Sequence, residues 1–168
     1  YPYFASKEAT YAAADTVTIV GAGPIGMTLA LSLAKMGIKS VILTAEQQLS
    51  AGSRAIVYTK RSMEIMQHIG IAAPLLEKAY PWTAGNSIYK GKVCFRMDAP
   101  VGEHDQFYPL NTLQQNYLEQ LFVDAIAENP LIELRWGNKV VKALQSDDEV
   151  VLTIDTPEGE YQHTSAWV

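Results

Sequence analysis

Residues 17–46, VTIVGAGPIGMTLALSLAKMGIKSVILTAE, read as a strand, a glycine-rich turn, a helix and a second strand. Val17-Thr18-Ile19-Val20 is mostly apolar and β-branched, as suits a strand covered on both faces. It leads into Gly21-Ala22-Gly23-Pro24-Ile25-Gly26, a G-x-G-x-x-G turn. Each glycine has a mechanical reason to be there: the first turns the chain, the second lets a pyrophosphate approach the backbone, and the third lets the helix pack closely on the strand. Pro24 suits a first helical turn, where its missing N–H is no loss and the free amides around it bind anions. Met27, Ala30, Leu31 and Ala34 continue at helical spacing to Gly37, a natural helix terminator, and a second strand follows at residues 40–43.

This context predicts dinucleotide binding more strongly than an isolated glycine motif does. One residue departs from the pattern. The acidic side chain that grips an adenosine ribose ordinarily ends the second strand, and that place falls on Thr44. Two readings stand open: Glu46 substitutes from two residues further on, or the Thr44 hydroxyl bonds the ribose.

At 168 residues, with 48% hydrophobic and 18% charged residues, the chain has the size of one domain with a core of its own. A net charge of −5 and a pI of about 5.1, with no basic run longer than Lys60-Arg61, argue against nucleic acid as a partner. The single cysteine, Cys94, excludes an internal disulfide or redox dithiol and fits a reducing, cytoplasmic compartment. Residues 1–16 carry Lys7, Glu8 and Asp15 and read as an N-terminal extension without a signal peptide. Residues 16–34 are uncharged and nearly long enough to cross a bilayer, but their glycines, proline and hydroxyls predict a buried βα unit and no membrane partner.

Further along, residues 45–53 read as a polar loop leading to Arg54, a candidate phosphate ligand or a solvated loop arginine. A helix is expected over residues 59–69, with Met63, Ile65, Met66 and Ile69 as its buried stripe, Gly70 as its stop and His68 at the surface. Residues 71–79 suggest another helical segment closed by Tyr80-Pro81. Two short strands flank Lys90-Gly91-Lys92 as an antiparallel insertion, with Tyr89, Phe95, Phe107 and Tyr108 lining a pocket or, more commonly, sealing a sheet. His104 falls in a polar loop. Asn111 or Thr112 is expected to cap a helix with Gln114 as capping-box partner. Leu118, Leu121, Phe122, Ala125 and Ile126 form its apolar stripe, and Asn129-Pro130 stops it. Gln114 and Gln115 lie in its first turn, where amides contact a polar ligand or water. LIELRW, residues 131–136, reads as a third parallel strand, and residues 140–144, 150–155 and 161–168 as an antiparallel meander turning at Asp147-Asp148 and Pro157-Glu158-Gly159. The predicted fold is therefore α/β, a Rossmann-like βαβ unit with a parallel sheet, an antiparallel meander and a small antiparallel insertion.

VTIVGAGPIGMTLALSLAKMG, GSRAIVYTKRSMEIMQHIGI, LQQNYLEQL and ELRWGNKVVKAL together resemble the N-terminal half of FAD-dependent aromatic-ring monooxygenases of the p-hydroxybenzoate and phenol hydroxylase type. The resemblance runs from Val17 onward and implies a single FAD-binding domain over residues 1–168. By position it implies that Gly21, Gly23 and Gly26, with Pro24 and Ile25 between them, hold the FAD pyrophosphate, that Arg54 contacts it from the loop, that Gln115 lies near the flavin, and that the Val140 backbone lies by the adenine. It further implies NADPH or NADH as reductant, O₂ as co-substrate and a small aromatic substrate, with the cofactor carrying the chemistry. The family continues with a G-D motif strand, whereas this sequence ends at Trp167-Val168, so it resembles a truncated half that is inactive alone. No constellation among His68, His104 and His163 suggests a catalytic base, nucleophile or metal site, so the expected catalytic and metal sets are empty. The rival readings are an NAD-linked dehydrogenase, which calls for a second mononucleotide-binding half, a flavin disulfide reductase, which calls for a cysteine pair, and a nucleotide-binding fragment without turnover. The sequence names neither the aromatic substrate nor an oligomeric state.

Overall fold

A computed structural model describes residues 16–49, 52 and 55–168. In chain order its elements are β1 (Thr16–Val20), α1 (Pro24–Lys35), β2 (Lys39–Leu43), β3 (Val57–Thr59), α2 (Lys60–His68), α3 (Ala72–Leu76), β4 (Tyr80–Trp82), β5 (Ala84–Tyr89), β6 (Lys92–Asp98), β7 (Leu110–Thr112), α4 (Gln115–Ala127), β8 (Ile132–Arg135), β9 (Lys139–Gln145), β10 (Val150–Thr156) and β11 (Gly159–Ser165). They fall into two compact units, one from the described residues of Tyr1–Ala51 and Glu119–Val168, the other from those of Gly52–Leu118. The predicted extension over residues 1–16 lies almost wholly outside the described residues.

The first unit contains the expected parallel sheet, in the order β1-β2-β8. Val17 pairs with Ser40 and Val20 with Leu43, while Ile42 pairs on its other side with Leu134. β2 is buried from Ser40 to Leu43, which is why Val41-Ile42-Leu43 is continuously apolar rather than alternating. α1 starts at Pro24 behind Gly23, buries Met27, Ala30 and Leu31, and ends where Gly37, at φ 76°, donates its N–H to the Ala34 carbonyl at 3.0 Å.

The predicted meander is β9, β10 and β11, with β10 between the other two. Leu152 and Ile154 of β10 pack with Val41 and Leu43 of β2, and Val140, Val150 and Tyr161 close the cluster. The final strand is shorter than expected. It ends at Ser165, after which Trp167 forms a parallel bridge to Val17 and its carbonyl accepts the Thr18 N–H at 2.8 Å.

In the second unit α2 is capped by Thr59, whose hydroxyl accepts the Ser62 N–H at 3.4 Å, and buries Met63 and Met66. Ile69 joins them, but Ile65 is exposed, because it lies off the narrow side of this short helix that meets the core. A three-stranded sheet in the order β3-β7-β4 was not predicted. It takes Tyr80-Pro81 as strand rather than helix stop; Pro81 is tolerated because β4 is an edge strand of that sheet. It also takes Asn111 and Thr112 as strand residues, with Asn111 Nδ2 bonded to the Tyr108 carbonyl at 3.1 Å. The start of α4 is instead supplied by Gln114, whose backbone carbonyl accepts the Tyr117 N–H at 3.1 Å. The insertion is the β5–β6 hairpin. Of its four candidate aromatics only Phe107 is buried; Tyr89, Phe95 and Tyr108 are exposed and seal nothing.

Candidate functional site

The Gly21–Gly26 turn is built as its sequence demands. Gly21 sits at φ 109°, a conformation that side chains resist, and donates its N–H to the Leu43 carbonyl at 2.7 Å, tying the turn to the end of β2. A Cβ at Gly26 would overlap the Gly21 carbonyl oxygen and come within 3.2 Å of Ile19 Cγ2, so only glycine lets α1 approach β1 this closely. A Cβ on Gly23 would meet nothing within 4 Å. The second glycine is thus not required by packing, and the space beside it is open.

The first intrahelical bond of α1 runs from the Met27 N–H to the Gly23 carbonyl at 3.0 Å. The amides of Ile25 and Gly26 therefore precede any carbonyl of their own helix, and with the positive end of the α1 dipole they form a natural anion seat. Open space above Gly23, amides at a helix mouth and a glycine forced by close approach together fit a diphosphate bridge.

At the end of β2 the two ribose candidates part company. Thr44 is buried, and its Oγ1 accepts the Glu46 N–H at 3.3 Å. Its N–H donates to the Arg135 carbonyl at 3.1 Å and its own carbonyl accepts the Asn138 N–H at 2.7 Å. Thr44 is thus an internal strut. Glu46 is exposed, its backbone held through its N–H on Thr44 Oγ1 and through its carbonyl, which accepts the Gly137 N–H at 2.8 Å. Val140, two residues beyond Asn138, is half-buried opposite Ile154. Gly21, Gly23, Gly26, Thr44, Glu46 and Val140 all belong to the first unit. Gln115 belongs to the second, opening α4 with its N–H on the Ala55 carbonyl at 3.0 Å. Arg54 lies outside the described residues.

Sequence reasoning missed a buried polar cluster next to Thr44. Arg135, 2% exposed, donates from Nε to Glu133 Oε1 at 2.8 Å and from Nη1 to the Tyr161 hydroxyl at 3.3 Å. Burial works against its charge, but the bonds to Glu133 and Tyr161 outweigh this and hold its pKa above the ordinary value. Tyr161 donates in turn to Asn138 Oδ1 at 2.7 Å. His163, also buried, shares a 2.9 Å hydrogen bond with Thr18 Oγ1. Burial first, and then the Arg135 charge, push its pKa below the usual histidine range against the opposing pull of Glu133. The one signal in the sequence was Glu133 and Arg135, opposite charges two apart and so on one face of a strand.

Residues 14–167 match the FAD binding domain family. The chain belongs to that family. As an FAD binding domain it takes FAD as its cofactor, and among its relatives is para-nitrophenol 4-monooxygenase of Pseudomonas sp. (strain WBC-3), 30% identical over 160 residues, which cover 92% of this chain and 39% of the relative. The 3-(3-hydroxy-phenyl)propionate/3-hydroxycinnamic acid hydroxylase of Escherichia coli is 26% identical over 89% of this chain and 27% of its own length. The crystal structure of p-nitrophenol 4-monooxygenase from Pseudomonas putida DLL-E4 superposes with a TM-score of 0.85 at 26% identity, covering 92% of this chain and 40% of that one. The flavin-dependent monooxygenase PieE, solved with FAD and substrate, superposes at 0.80 with 29% identity, covering 90% of this chain and 29% of that one. This FAD binding domain therefore spans well under half the length of the relatives it matches. Its mixed α/β architecture, parallel β1-β2-β8 with antiparallel strands, is the one expected from the sequence.

Proposed function

We propose that the chain is the FAD-binding portion of a flavin-dependent monooxygenase that hydroxylates a small phenolic substrate, with NADPH or NADH as reductant and O₂ as the oxygen source. The observation that carries this reading is the Gly21–Gly26 turn, whose second glycine faces open space at the mouth of α1, in a chain 30% identical to para-nitrophenol 4-monooxygenase. When bound, FAD supplies the electron transfer and the delivery of one oxygen atom to the ring.

The chain's own residues bind and orient it. The backbone of Gly21, Gly23, Ile25 and Gly26 takes the diphosphate, with Pro24 shaping the first helical turn and the Arg54 guanidinium supplying a second positive support. Glu46 accepts from the adenosine ribose, and the exposure of Glu46 against the burial of Thr44 supports that choice. The Val140 backbone lies by the adenine and Gln115 by the flavin. No helix among the described residues is long and apolar enough to cross a membrane. A cytoplasmic setting accords with Cys94, a free and exposed thiol.

Titrating FAD into the purified chain, read by quenching of flavin fluorescence, tests the reading. The Gly23→Ala methyl meets no protein atom, so the melting temperature stays unchanged while FAD affinity falls roughly 10–100-fold from lost phosphate contacts. A wild-type chain that binds no FAD, or a Gly23→Ala chain that binds it equally well, overturns the site. Phenol-stimulated oxidation of NADPH or NADH by the longer enzyme containing this domain tests the activity.

A further inference from the structure

The buried cluster beside Thr44 has a direction built into it. An arginine can only donate, so the Tyr161 oxygen accepts from Arg135 and spends its single proton on Asn138 Oδ1. This orients the Asn138 amide, whose Nδ2 then donates to the Trp136 carbonyl at 2.8 Å and closes the turn over residues 136–138, with Gly137 at φ 66°. That turn grips the end of β2 through three backbone bonds: Thr44 N–H to Arg135, Asn138 N–H to Thr44, and Gly137 N–H to Glu46. Arg135 anchors the chain of bonds because a buried charge held by Glu133 has no cheap alternative position.

We propose that Asn138 and Tyr161 are positioning residues for ribose recognition: by locking the turn at 136–138 they hold the Thr44–Glu46 segment so that the Glu46 carboxylate is presented at one place beside the glycine turn. The inference rests on the adenosine-binding role of this end of the site. An exposed carboxylate beyond a strand end would otherwise sample many positions, and binding would bear the cost of ordering it. A purely structural cluster would affect stability alone; a positioning cluster also affects which sugar is bound.

The experiment titrates the full chain with ADP and with 2′-deoxy-ADP by calorimetry, alongside melting temperatures. The wild-type chain is expected to prefer ADP by about tenfold or more, as a hydrogen bond to a charged carboxylate implies. Glu46→Gln removes most of that preference. Tyr161→Phe, which keeps the ring, and Asn138→Asp, which keeps the acceptor but loses the donor to Trp136, each reduce it by about threefold or more while leaving 2′-deoxy-ADP affinity within about twofold. A preference retained in both folded variants, or absent from the wild type, overturns the inference while leaving FAD binding intact; a wild type that binds no ADP overturns the adenosine site as well. Hydrogen exchange on the wild-type chain reads the same clamp without a variant. The amides of Gly137 and Asn138 should exchange as slowly as those of β2, and fast exchange there would sink the proposal even if neither variant folds.

Discussion

The β9–β11 meander and the β5–β6 hairpin are both antiparallel, both run by alternation, and differ in almost everything that costs or yields free energy. β10 sets Leu152 and Ile154 against Val41 and Leu43, and its neighbour β11 buries His163 and Ser165. The hairpin buries no side chain of its own: Ile88 is 67% exposed, Val93 59% and Phe95 60%. What defines it is its turn. Lys90 at φ 48° and Gly91 at φ 75° are the consecutive left-handed residues of a type I′ connection, which matches the twist of paired strands. Arg96 and Asp98 add a surface ion pair at 2.8 Å. One ribbon is held by what it covers, the other by how it turns.

The largest expected effect tests the covered ribbon. Leu152→Ala removes a side chain that is 1% exposed at the centre of the meander core and should destabilise the first unit by about 2–5 kcal/mol in denaturant titrations. A loss below about 1 kcal/mol would mean that the meander core collapses readily around the gap, and the contrast with the hairpin would weaken.

A smaller effect concerns the polar part of the same core. His163 has its pKa lowered from 6.5, by burial first and then by Arg135. The unfolded chain therefore takes up a proton near pH 6.5 that the folded chain resists until lower pH. Stability contributed by the neutral ring is fully present above that value and is lost as pH falls towards the folded pKa. The denaturation midpoint should fall with pH in this window in the wild type, and less steeply in His163→Gln. Equal slopes would show that His163 does not titrate across unfolding.

Much of the first unit was legible because its signals are local. The turn glycines, Pro24 and Gly37 act through backbone conformation, and the periodicities of α1 and α4 repeat over several turns. The β3-β7-β4 sheet was not legible, because strands of three residues are too short to show alternation and Asn111 serves a cap and a strand equally well by composition. In the candidate site, the conformation of the glycine turn was legible from its residues, while the burial of Thr44 and the exposure of Glu46 were not. The charges of Glu133 and Arg135 were visible two residues apart, but their partner Tyr161 lies 26 residues from Arg135, and no spacing rule joins β8 to β11. Only the packing of the meander on the parallel sheet brings those side chains together.

The smallest effect should come from the hairpin. Phe95 stands opposite Ser87 and shares one face of β6 with Met97, both exposed, so replacing its ring removes little buried area. Threonine supplies a β-branched side chain suited to a strand, and the register is set by Lys90-Gly91 rather than by packing. Phe95→Thr should therefore change stability by no more than about 0.5 kcal/mol, against several for Leu152→Ala under the same denaturant titration. A loss on the scale of the core variant would mean that the Phe95 and Met97 face is covered in solution, and the hairpin would then be held as the meander is, by what it buries.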